Sequence, residues 1–152
     1  MTQPTTPPKD AKTFTVLLVE DDPADANLAK RALKQGPVPC EVHLVRDGVE
    51  AMEFLHRQGE RFAAAPRPNL VLLDLNMPRK DGREVLSEIR ADEALKTIPV
   101  VVLTTSDVER DIEASYMRGA NSFLTKPMDV EDFFTLIHTV QHYWFDIVTL
   151  PK

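Results

Sequence analysis

The stretch Pro68–Gly82, PNLVLLDLNMPRKDG, places one carboxylate, Asp74, directly after Leu70, Val71, Leu72 and Leu73. A continuous apolar run of this length predicts a strand covered on both faces. Open parallel sheets carry their ligand sites beyond the carboxyl ends of their strands. Asp74 is therefore expected at the edge of a site and not inside a core.

Upstream, FTVLLVE reads as a second buried strand and DPADANLAKRALKQG as a helix, with Asp22 as cap, Pro23 at its first position and Gly36 past its end. The alternation continues with CEVHLV and a helix over 47–58, NLVLLD and a helix over 81–91, IPVVVLT and a helix over 108–118, then SFLT and a helix from about 129. Five strand and helix pairs predict an α/β fold, a mostly parallel five-stranded sheet with helices on both faces. Residues 1–13 hold three prolines and four threonines without apolar periodicity and read as a flexible tail, so the folded domain is expected over 14–141 with an extension over 142–152.

A chain of 152 residues with 43% apolar content is the size of one domain with one real core, and a second effector domain is not expected. No run approaches the roughly 18 apolar residues of a membrane span. The first residues lack the apolar centre of a signal peptide, so a cytoplasmic location without membrane contact is expected. Cys40 stands alone, which excludes an intrachain disulfide framework and a cysteine-rich metal site. A net charge of −6 argues against nucleic acid as a partner and for other proteins.

The strand ends carry the polar residues. Glu20, Asp21 and Asp22 follow the first strand, Asp74 and Asn76 the third, Thr104 and Thr105 the fourth, and Lys126 the fifth. In a doubly wound sheet these ends share one edge. Two unit charges about 4 Å apart cost on the order of 4 kcal/mol at an effective dielectric near 20, so clustered carboxylates there require positive charge. Lys126 supplies part of it, and a hard divalent cation, Mg²⁺ above others, suits the oxygen ligands. Asp22 reads as a helix cap.

With LLVEDDP, LLDLNMPRKDG, VVVLTTS and GANSFLTKP in this order, the sequence resembles the receiver domains of two-component response regulators. The resemblance implies that Asp74 accepts a phosphoryl group from a histidine kinase. It implies that Asp21, Asp74 and the backbone carbonyl of Asn76 hold Mg²⁺, with Glu20 helping through water from a position where many members carry aspartate. Thr104 and Lys126 would meet the phosphoryl oxygens, and Thr104 with Phe123 would relay the event to the face made by the fourth helix, fifth strand and fifth helix. Lys126–Pro127 matches a position where the family's peptide bond is usually cis, and Pro127 is the cis candidate.

Other functions fit less well. A haloacid-dehalogenase-type aspartyl-phosphate hydrolase needs a general acid two residues past the nucleophile, where this chain has Asn76. A flavin module of similar fold would set FMN phosphate against three acids. A phosphorylation-independent dimeric scaffold would not need Glu20, Asp21, Asp74, Thr104 and Lys126 together. His138 and His142 lie four apart, but two ligands do not define a zinc site.

The last helix keeps apolar residues at 130, 133, 134, 137, 140 and 144, a spacing that continues into Ile147 and Val148. Tyr143, Trp144, Phe145, Ile147 and Val148 are expected to form a homodimer interface, since an apolar chain end needs cover. This ending also resembles that of single-domain regulators paired with bacterial and cyanobacterial phytochrome kinases, which makes a red-light-sensing histidine kinase the expected partner.

Overall fold

A computed structural model of the chain describes residues 13–77, 79–105 and 109–150, the side chains at 109 and 110 excepted. Residues 1–12 of the tail predicted over 1–13, the first residue of the helix expected from 108, and the last two residues lie outside the described residues. The strands are β1 (Phe14–Val19), β2 (Cys40–Val45), β3 (Leu70–Leu73), β4 (Val100–Thr104) and β5 (Ser122–Thr125). They form one parallel sheet, as the alternation predicts, and the strand order is β2-β1-β3-β4-β5.

Because successive strand residues point to opposite faces, β1 sends Leu17 and Val19 into one core and Val16 and Leu18 into the other. The first core is closed by α2 (Gly48–His56), the short α3 (Gly59–Phe62) and α4 (Gly82–Ala91), which contribute Phe54, Phe62 and Ile89. The second is closed by α1 (Pro23–Gln35) and α6 (Val130–Gln141), through Leu33 and Ile137. The remaining helix, α5 (Glu109–Met117), stands beside β5.

Local chemistry sets the helix ends. The Asp22 carboxylate accepts from the backbone of Ala24 and Asp25, and Pro23 opens α1 with its fixed φ. Gly36 ends α1 in an extended conformation; its lack of a side chain matters because a Cβ there would overlap the Gln141 amide, which is buried and caps the Leu33 carbonyl at 2.9 Å. The helix expected over 47–58 is α2, and the short α3 past it was not expected. Arg57 takes a left-handed φ of 55° that ends α2, and α3 starts two residues later.

The chain end departs most from expectation. After α6 the backbone widens into a π-helix over His142–Ile147, with the Val148 N–H bonded to the Tyr143 carbonyl five residues back. This wider turn places Phe145, 8% exposed, in the second core against Phe14. Phe145 is thus committed to its own domain and is removed from the expected interface residues. Trp144 and Val148 are half-buried, while Tyr143 and Ile147 face outward.

Candidate functional site

The order of the sheet reverses between β1 and β3, the place where doubly wound sheets form a crevice. The Glu20 N–H bonds to the Val45 carbonyl and the Asp74 N–H to the Val19 carbonyl, so both acids sit just past the last ladder bonds with fixed backbones. Glu20, Asp21 and Asp74 each present a carboxylate oxygen within 4.8 Å of the others. Asp74 is 9% exposed, and Asp21 opens to solvent.

Lys126 enters from the end of β5. Its backbone N–H donates to the Thr104 carbonyl at 2.8 Å, which fixes its root beside β4. Its ammonium, on a side chain only 7% exposed, donates to Glu20 and to Asp25 at 3.0 Å, and lies 3.6 Å from Asp74. The Lys126–Pro127 peptide is trans, since no cis bond occurs among the described residues. The cis expectation for Pro127 is therefore corrected: trans is the lower-energy isomer by about 0.5–1 kcal/mol, and in it the ammonium already reaches the acids.

The charges shape one another. Burial, followed by the hydrogen bond and charge of Asp74, raises the Glu20 pKa to about 8, against the opposing pull of Lys126. Burial disfavours the Lys126 ammonium, but the Glu20 hydrogen bond and the Asp74 charge outweigh it and hold its pKa above the ordinary lysine value. The cluster is short of positive charge, and its donors are all hard oxygens, the set that suits Mg²⁺ or Mn²⁺.

The loop after Asp74 is pinned from outside. Asp47 caps α2 through the Glu50 N–H and accepts two hydrogen bonds from Arg79, at 2.9 and 3.1 Å. The Gly48 N–H donates to the Lys80 carbonyl, and the Gly82 N–H to the Leu75 carbonyl. A Cβ at Gly82 would overlap the Asp74 carbonyl, so only glycine lets α4 start this close to the strand end.

A Response regulator receiver domain model matches residues 16–149. The chain belongs to this family. The receiver is 48% identical over 151 residues, 99% of each chain, to "Response regulator Rcp1" of Synechocystis sp. (strain ATCC 27184 / PCC 6803 / Kazusa). Among solved structures it is similar to the phosphorylated cyanobacterial phytochrome response regulator RcpA, with TM-score 0.88, 48% identity and coverage of 93% of this chain and 100% of that one. It is similar also to the Mn²⁺-bound form of Rcp1, with TM-score 0.85, 48% identity and coverage of 91% and 99%.

The structure gathers Glu20, Asp21, Asp74 and Lys126 into one pocket of the receiver. Asn76 is exposed, its N–H 3.4 Å from the Asp74 carboxylate. Thr104 is fully buried at the end of β4, opposite Thr125. Phe123 is half-buried in β5 and its N–H donates to the Tyr116 hydroxyl, which ties β5 to α5. The sequence reading missed Asp25, the second acid bonded to Lys126. Its signal was its place four residues past Asp21, one helical turn beyond the acidic pair.

A cavity of about 490 Å³ lies at the opposite, amino-terminal edge of the sheet, lined by Phe14, Pro68, Ile98, Pro99, Phe145 and Leu150 among others. The one charged residue of its lining, Arg67, donates to the Ala94 carbonyl and the Thr97 hydroxyl. It has no nucleophile paired with a counter-charge, so the chemistry belongs to the β1/β3 edge.

No helix among the described residues is long and apolar enough to cross a membrane.

Proposed function

We propose that this receiver accepts a phosphoryl group on Asp74 from the phosphohistidine of a histidine kinase and acts as a phosphorylation switch. The carrying observation is that Asp74 is a strand-end carboxylate beside Glu20 and Asp21 with the Lys126 ammonium 3.6 Å away. An Asp74 oxygen attacks phosphorus, the P–N bond to the donor imidazole breaks with its electron pair, and an acyl phosphate remains on Asp74. Transfer of this kind is mostly positioning and charge neutralisation, so the pocket needs no general base. Lys126 offsets the phosphoryl charge, and water later cleaves the acyl phosphate; the protein catalyses only its own phosphorylation and dephosphorylation.

Glu20, Asp21, Asp74 and the Asn76 carbonyl would hold Mg²⁺. Bound there, the ion would supply positive charge to carboxylates and phosphoryl oxygens alike. Thr104 would sense the phosphoryl group and Phe123 would pass the change to the face of α5, β5 and α6; the bonds from the Lys126 N–H to the Thr104 carbonyl and from the Phe123 N–H to the Tyr116 hydroxyl support this route. The similarity to RcpA, described as a cyanobacterial phytochrome response regulator, supports a phytochrome-type kinase as donor. The outward Tyr143 and Ile147, with half-buried Trp144 and Val148, support a homodimer through the last turn.

Incubation with a phosphorylated phytochrome-type kinase and Mg²⁺ tests this. The parent should acquire a hydroxylamine-sensitive label that Asp74→Asn and excess EDTA each reduce to background. Full labelling of the Asp74→Asn protein would move the acceptor elsewhere, and full labelling in EDTA would remove the metal.

A further inference from the structure

Lys126 occupies the carboxylates that the proposed metal site also needs. Its ammonium touches Glu20 and approaches Asp74, two of the three acids whose oxygens cluster. A cation sharing those acids meets a buried like charge a few ångströms away, and such repulsion is strong where water is scarce. Asp25 is the further acid on Lys126 among the described residues, with Oδ2 3.0 Å from Nζ, and it does not belong to the cluster.

Asp25 is well fixed for this contact. It lies in the first turn of α1, where its own N–H is held by the Asp22 carboxylate at 3.1 Å. Its side chain is 35% exposed, while the lysine it meets is enclosed. A lysine ammonium is a point charge with three donors on a flexible stem and can change its main partner by small torsions.

We infer that Asp25 is a positioning residue for Lys126: it gives the ammonium a partner outside the acid cluster, so that Glu20 and Asp74 can turn to a divalent cation while the lysine stays in the pocket. This rests on the metal site proposed above. Asp25 acts through Lys126 and not as a ligand, so its influence on metal affinity should depend on the lysine being present.

A double-mutant cycle read by Mn²⁺ affinity, from the electron paramagnetic resonance signal of free Mn²⁺, tests this without any phosphotransfer. Asp25→Asn should weaken Mn²⁺ binding about fivefold in the parent and less than about twofold in a Lys126→Gln background, the coupling expected of residues in contact. Asp22→Asn, which keeps its capping oxygen, removes one nearby charge and should weaken binding less than about twofold in either background. An Asp25→Asn loss that is absent, no larger than that of Asp22→Asn, or equal with and without Lys126 would overturn the inference. A parent that binds no Mn²⁺ would overturn the metal site itself, and this inference with it.

Discussion

Phe145 stacks on Phe14, with ring centroids 4.2 Å apart and planes 10° from parallel. The contact joins the last helical turn to the first strand. Phe145→Ala should therefore lower stability by about 3–5 kcal/mol, the usual range for emptying a buried aromatic site. Urea denaturation measures it, and a loss below about 1 kcal/mol would mean that the ring is not part of the core.

The same stacking decides how the proposed homodimer is tested. Truncation at residue 142 would uncover Phe14 and unfold more than an interface, whereas Ile147 is 60% exposed and makes its choice of partner separately. Ile147→Asp should turn a dimer into a monomer at micromolar concentration while changing the urea midpoint by no more than about 0.5 kcal/mol of stability. Light scattering reads the mass. A monomeric parent, or a dimeric Ile147→Asp protein, would place the interface elsewhere or remove it.

Burial pushes the Asp47 pKa upward, but the Arg79 hydrogen bond and the backbone N–H groups of Glu50 and Val49 outweigh it and hold it below the ordinary 3.8. A lowered native pKa means that the unfolded chain binds the proton more readily. The stabilisation is therefore complete above about pH 3.8 and fades as pH falls through the native value. Asp47→Ala should cost about 1 kcal/mol at pH 7 through the lost cap. Asp47→Asn keeps the cap and should show a smaller deficit at pH 7 that is narrower at pH 3, below the ordinary 3.8. Urea titrations at the two pH values compare them, and a deficit unchanged at pH 3 would show that charge is not its source.

Thr104→Ala leaves Asp74, the acids and Lys126 in place. On the proposed function, labelling by the kinase should continue within about tenfold of the parent rate, because Thr104 would be only one of several phosphoryl contacts. What should disappear is any shift in self-association on adding beryllofluoride, followed by sedimentation. A variant that shifts as the parent does would exclude Thr104 from the route to α5 and α6.

The strands and the acid pocket were legible because their signals are local: four buried residues before Asp74, a capping Asp22 before Pro23, and a lysine after the fifth strand. The chain end was not. Helical spacing through 137, 140 and 144 runs on into an apolar end that reads as an interface, whereas the π turn carries Phe145 into the second core with Trp144 partly buried beside it. Nothing in the residues themselves marks a π turn; the tertiary contact with Phe14 selects it. Asp25 was hidden for another reason, since an acid in the first turn of a helix is already explained by the helix dipole. The break between α2 and α3 rests on a non-glycine residue, Arg57, in the left-handed region, which sequence rules assign chiefly to glycine or asparagine.

Lys126 and Glu20 are bonded across 106 residues of chain. Domains fold during synthesis from the amino terminus, at about 5–20 residues per second, so Asp74 leaves the ribosome well before its counter-charge does. Until β5 docks on β4, the acids at the β1/β3 edge face one another without an ammonium, and an anionic donor is repelled. On the proposed function, a chain that has not yet built β5 lacks the ammonium that offsets the phosphoryl charge, and the ends of its first and last strands must meet before the pocket is complete.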